Sequence, residues 1–98
     1  MEIKTTRNDS ELTVALSGRL DTLTSPDLEE KLDEELEDAE RLIFDLGKLE
    51  YISSAGLRVL VGAYQMMEDK GGMLIRNVAP EVMDVFEVTG LIDGFDFE

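Results

Sequence analysis

Two adjacent serines, Ser53 and Ser54, are the residues of this chain best placed to do chemistry, because they stand between an apolar run and an amphipathic helical pattern. A serine hydroxyl can attack an electrophile, cap a helix or accept a phosphoryl group. Attack needs a base. The 98 residues include no histidine and no cysteine, which removes Ser-His-Asp hydrolases, thiol nucleophiles and zinc sites of the usual Cys/His type. Lys48 and Lys70 have no spacing that ties either of them to the serines. Capping needs one hydroxyl, contributes about 1 kcal/mol and suits Ser53. The second hydroxyl is then spare, and Ala55 and Gly56 behind it leave the backbone uncrowded for an incoming group. A phosphate acceptor needs exposure and somewhere to put charge, and the free N–H groups and dipole of a helix N-terminus supply both. The residues alone leave cap and acceptor open for Ser54, and favour an acceptor over an enzyme.

The elements that must position these serines can be read from hydrophobic periodicity. Leu42, Ile43 and Phe44 form a continuous apolar run, as expected of a covered strand, and a short loop should lead from it to Ser53. Leu57, Leu60, Val61, Tyr64 and Met67 recur at helical spacing, and Leu57, Leu60, Val61 and Tyr64 should line the core side of a helix. Lys70-Gly71-Gly72 gives a basic last turn and a left-handed stop, and Met73-Leu74-Ile75 reads as the next strand. This is a β-α-β unit, and such sheets carry functional loops at the carboxyl ends of their strands.

Upstream, Ile3–Arg7 and Glu11–Ser17 flank a turn at Asn8-Asp9-Ser10 and predict a hairpin. Gly18 should close its second strand, leaving residues 19–24 as a loop. Ser25-Pro26-Asp27 predicts a helix start with Ser25 as the capping hydroxyl, and Leu28, Leu32 and Leu36 supply a narrow apolar stripe. Like charges one turn apart, such as Glu30 with Glu34, oppose this helix, so packing must hold it. Its acids lack the turns and carbonyls of calcium loops and read as a solvated face. Pro80 to Gly90 predicts a third helix with a poor cap at Ala79, and a short final strand or docked tail follows at Phe95 and Phe97.

These elements predict one α/β domain over residues 1–98, a mixed sheet of four to five strands with helices mainly on one face. Hydrophobic content of 43% is sufficient for a single core. Nine Lys and Arg against twenty-three Asp and Glu leave a formal charge of −14, which repels nucleic acid and anionic membranes. No apolar run approaches the ~20 residues that span a bilayer, and no signal-like N-terminus is visible, so membrane insertion is not expected and a cytoplasmic location is. No metal or cofactor is expected.

The order hairpin, Gly18-Arg19-Leu20-Asp21, helix, Ile43-Phe44-Asp45-Leu46 and Tyr51-Ile52-Ser53-Ser54-Ala55-Gly56-Leu57 resembles the STAS domain of bacterial anti-sigma factor antagonists over nearly the whole chain. The resemblance implies a protein-binding switch in transcription regulation and signalling with no catalytic activity of its own. Aligned on Gly56-Leu57, the family's phosphorylated serine falls on Ser54. The resemblance further implies that unmodified protein binds an anti-sigma factor serine kinase, that phosphorylation of Ser54 releases it, and that a phosphatase resets it. Asp21, Thr22, Ser53, Ser54, Gly56 and Arg58 are the expected partner-binding residues. This chain departs from the family pattern at Ser53, where an aspartate is usual, and at Ala55, where a second hydroxyl is usual. An alternative is a constitutive STAS scaffold or transporter-associated subunit without a phosphorylation cycle.

Overall fold

A computed structural model describes residues 1–98. Strands β1 (Glu2–Asn8) and β2 (Glu11–Leu20) form an antiparallel hairpin whose turn passes through Asp9 at φ 58°. Three parallel crossovers follow: β2 to β3 (Arg41–Ile52) through α1 (Ser25–Glu35), β3 to β4 (Met73–Arg76) through α2 (Ser54–Met67), and β4 to β5 (Asp96–Phe97) through α3 (Pro80–Thr89). The strands lie in the order β1-β2-β3-β4-β5, a five-stranded mixed sheet. Right-handed crossovers that all advance in one direction place their helices on one face. The core agrees: Leu12, Val14, Leu16, Phe44 and Ile75 of the sheet share one buried cluster with leucines of α1 and α2 and with Val82 and Phe86 of α3. Ile43 is buried outside that cluster, on the face without helices.

Both central strands run further than alternation suggests. β2 does not end at Gly18 but continues to Leu20, and no loop separates β3 from Ser53, because β3 runs through residues 45–52 to Ile52. The parallel pairing slips twice: Ala15 faces Asp45 while Ser17 faces Lys48, and Gly18 faces Leu49 while Arg19 faces Tyr51. Each slip places an extra residue on β3, which turns its side chains over. Leu46, Leu49 and Ile52 therefore all point inward despite three-residue spacing. That spacing hid the strand.

α1 buries Leu28 and Leu32, and Leu36 of the adjoining 3-10 turn (Leu36–Asp38) completes the stripe. Its end is tied down by Lys70, whose ammonium donates to the carbonyls of Leu36, Glu37 and Ala39 at 3.2, 3.1 and 3.0 Å. The basic residue read as closing α2 thus serves the neighbouring helix. The chain then turns into β4 through Gly72 at φ 89°, the left-handed region that favours glycine. On α2 the buried residues are Gly56, Leu57, Leu60, Ala63 and Met67, while Val61 and Tyr64 are only half-buried against the cluster. The apolar stripe is rotated from the expected one because Gly56 and Ala63 bring the backbone close to the sheet. Tyr64 instead meets Phe95 at a tilt, 5.5 Å between ring centroids, and Phe95 meets Phe86 edge-on at 5.9 Å, which docks the short strand β5.

Candidate functional site

The serines sit where the two central strands end together. Leu20, the last residue of β2, pairs with Ile52, the last of β3, and the Ser53 N–H donates to the Leu20 carbonyl at 2.9 Å. Gly56 allows α2 to start this close. A Cβ there would lie 2.7 and 2.9 Å from Leu20 carbons and 3.0 Å from Ile52, well inside van der Waals contact. Gly56 is therefore buried and faces the strands, so its small size accommodates the fold rather than a visiting partner. Gly56, expected among the partner-binding residues, thus offers little open surface of its own.

The two serines differ in their surroundings. Ser53 is the N-cap, in extended backbone at φ −99° and ψ 175°, and its Oγ accepts from the Gly56 N–H at 3.4 Å. That bond is long for N–H···O and correspondingly weak. Ser54 is the first residue of α2, exposed, and its hydroxyl is absent from the hydrogen bonds of the structure. No acidic residue lies in this first turn, nor anywhere along α2.

Beside the serines, the turn Asp21–Thr24 is closed by its own side chains. The Asp21 carboxylate accepts from the Leu23 N–H at 3.0 Å and from the Thr24 N–H at 3.1 Å. The Thr24 hydroxyl accepts from the Asp21 N–H at 2.8 Å and lies 2.8 Å from the Arg19 carbonyl. Partial desolvation pushes the Asp21 carboxyl up, but the Thr24 N–H and hydroxyl, the Leu23 N–H and the Arg19 charge outweigh it and hold it below its ordinary value. Ser25 does not cap α1 as expected: its hydroxyl donates to the Asp21 carbonyl at 2.6 Å, and Thr24 occupies the cap position with its hydroxyl bonded back to Asp21 and Arg19 rather than to an N–H of the helix. A capping side chain is dispensable because Pro26 has no N–H and the Thr24 carbonyl takes up the Asp27 and Leu28 N–H groups.

Thr22 and Arg58 meet in one cleft of about 250 Å³ between the starts of α1 and α2, with Ala55 and Glu29 on its walls. The expected site residues are thus gathered at one end of the sheet, with Asp21 fixing the turn, Thr22 and Arg58 on the cleft, and Ser54 exposed at its margin. Arg19, Leu23 and Tyr51 stand at the same end of the sheet, outside the expected set of residues. The Arg19 guanidinium lies over the Tyr51 ring at 4.2 Å, a pairing that follows once β2 and β3 are extended to bring these residues opposite each other. The largest cavity, about 510 Å³, lies elsewhere, on the helix-free face beside Lys4, Asp45 and Lys48.

The STAS domain model matches residues 2–98. This chain belongs to the STAS family, among its anti-sigma factor antagonists. It is 33% identical over 91 residues to the anti-sigma-B factor antagonist of Bacillus subtilis, covering 92% of this chain and 84% of that one. A solved anti-sigma factor antagonist from Mycobacterium paratuberculosis superposes with a TM-score of 0.89 at 26% identity, covering 98% of this STAS chain and 83% of its own. The Bacillus cell fate determinant SpoIIAA in its phosphorylated form shares the fold, with a TM-score of 0.76 at 18% identity over 99% of this chain and 91% of that one. No helix of this STAS domain is long and apolar enough to cross a membrane.

Proposed function

We propose that this STAS domain is an anti-sigma factor antagonist that binds an anti-sigma factor kinase when Ser54 is unmodified and releases it when Ser54 carries phosphate. One observation carries the reading: Ser54 has an exposed hydroxyl with no hydrogen bond of its own, because Ser53 already fills the cap. An acceptor must be free to leave its surroundings and enter a kinase; a capping hydroxyl is not. The relatives' names support the antagonist role, and the phosphorylated SpoIIAA supports the compatibility of the fold with such a modification. Binding is the whole activity, with no chemistry performed by the domain. The phosphate would add nearly two negative charges at the centre of the contact, so loss of binding is the expected sign. A phosphatase would restore the unmodified form.

The test incubates the protein with each purified anti-sigma factor kinase of its host and ATP. The expected result is a mass gain of one phosphoryl group mapped to Ser54, with weaker binding of the product. A kinase that binds the protein and modifies another substrate yet leaves Ser54 untouched would favour a constitutive scaffold. That second reading has one specific observation behind it, Ser53 in place of the family's usual aspartate.

A further inference from the structure

Leu23 is the only exposed leucine of the chain, with 86% of its surface open. Single exposed apolar side chains are ordinary. This one differs in its support and its position. Its own N–H is held by the Asp21 carboxylate at 3.0 Å, and the next residue is fixed by the same carboxylate at 3.1 Å. A side chain held out on a turn with a fixed backbone has less conformational freedom to lose on docking. Thr22, its neighbour, lines the cleft shared with Arg58 and Ala55, and Leu20 accepts the Ser53 N–H, so the turn belongs to the same surface as Ser54.

Arg58 lies on that surface too. Five ion pairs engage Arg7, Arg19, Lys31, Arg41 and Arg76, and Lys70 is spent on carbonyls, but Arg58 joins no ion pair in a chain of formal charge −14. An arginine left unpaired among so many acids is available to a carboxylate from outside.

We infer that Leu23 and Arg58 form a two-part docking surface for a protein partner that offers an apolar pocket to Leu23 and a carboxylate to Arg58. The inference rests on the reading that a partner docks around Ser54, and it adds the chemistry that partner must present. Leu23 supplies affinity, and Arg58 supplies orientation and charge complementarity. A phosphoryl group on Ser54, one helical turn before Arg58, competes with the partner's carboxylate for the guanidinium and repels it.

The experiment titrates each purified anti-sigma factor kinase of the host against the full chain and four variants: Leu23→Asn, Arg58→Glu, and the controls Val88→Asn and Lys48→Glu. Val88 is as exposed as Leu23, at 87%, but lies on α3, and Lys48 is likewise free of ion pairs but lines the cavity on the helix-free face. Thermal melts verify that each variant is folded. Leu23→Asn should weaken binding by about 10- to 100-fold, the scale of one buried leucine, mainly through faster dissociation. Arg58→Glu should weaken it at low salt, with the difference from wild type shrinking as salt screens the charges. Both controls should stay within about twofold of wild type. Wild-type binding with Leu23→Asn equally tight overturns the anchor, and Arg58→Glu equally tight overturns the carboxylate half. If no kinase binds the wild type, the proposed function itself fails and this inference falls with it.

Discussion

The N-terminus of α1 is enclosed by partners, whereas that of α2, which starts from the same edge of the sheet, is left open. At α1 the Asp21 carboxylate, the Thr24 and Ser25 hydroxyls, Pro26 and the acidic Asp27 occupy the first turn and the approach to it. At α2 one long hydrogen bond from Gly56 to Ser53 is the only side-chain cap, and no acid follows. The bodies of the helices repeat the contrast. α1 carries six carboxylates, and α2 carries none, with Arg58 as its single charge. A chain with twenty-three acids has kept them off one helix. The positive end of a helix dipole is stabilised by negative charge, and α2 retains that unmet preference beside Ser54. What surrounds the Ser54 hydroxyl thus matters to the proposed acceptor role as much as the hydroxyl itself.

The largest way to break this contrast is to remove the packing that seats α2. Leu60 is fully buried at the centre of the helix, so Leu60→Ala should cost about 2–5 kcal/mol, measured by chemical denaturation. A loss under about half a kcal/mol would remove Leu60 from the core. Gly56→Ala comes next. Its methyl would be driven into Leu20 and Ile52, and overpacking of that kind costs about 1–3 kcal/mol. It should also lift the start of α2 away from the Asp21 turn, visible as amide shifts at Ser53, Ser54 and Leu23 in an NMR spectrum. A folded Gly56→Ala protein with unmoved amides would show that the close approach is not what sets the site.

The fold was largely legible because its long signals are local: the Asn8-Asp9-Ser10 turn, the Leu28, Leu32 and Leu36 stripe, and the Pro80 to Gly90 helix all appear in the structure. What was hidden depended on pairing between distant residues. The two bulges on β3 convert Gly47-Lys48-Leu49-Glu50 from an apparent loop into strand, and no local pattern announces them. The same cause concealed Arg19 over Tyr51. Ser25 resembles a cap in the sequence because a hydroxyl before proline can serve a cap or a turn, and in the fold it bonds to the Asp21 carbonyl. The location of Ser54 was legible, since a serine pair before an amphipathic run needs only one cap. Leu23 was not, because an exposed leucine looks like a core leucine until its surroundings are known.

A smaller effect sharpens the α1 side of the comparison. The folded Asp21 carboxyl titrates below the ordinary 3.8. A carboxyl with a lowered folded value stabilises fully above its unfolded value and loses that contribution as pH falls through the folded one. Wild type should therefore exceed Asp21→Asn in stability at pH 7, and the difference should shrink as pH is lowered through about 4 toward 2. Thermal melts at both ends of that range make the check. A difference independent of pH would mean that Asp21 holds its turn by shape and hydrogen bonding alone, without its charge.

The smallest expected effect tests the division between the two serines most directly. Ser53→Ala removes the only side-chain cap of α2, and cap losses run from about 0.5 to 2 kcal/mol. The 3.4 Å bond places this one toward the lower end of that range, since a long hydrogen bond has less to lose. Ser54→Ala removes a hydroxyl that bonds to nothing, so it should stay within about 0.5 kcal/mol of wild type. Denaturation of both single variants and of the double variant separates the possibilities. If the cap belongs to Ser53 alone, the double variant should equal Ser53→Ala within error. A double variant less stable than the sum of the two would mean that Ser54 takes over the cap when Ser53 is lost, which neighbouring sites can do. In that case the hydroxyl proposed as a phosphate acceptor is held in reserve by the helix, and phosphorylation would compete with capping. Equal losses from the two single variants would erase the distinction on which the acceptor reading of Ser54 rests.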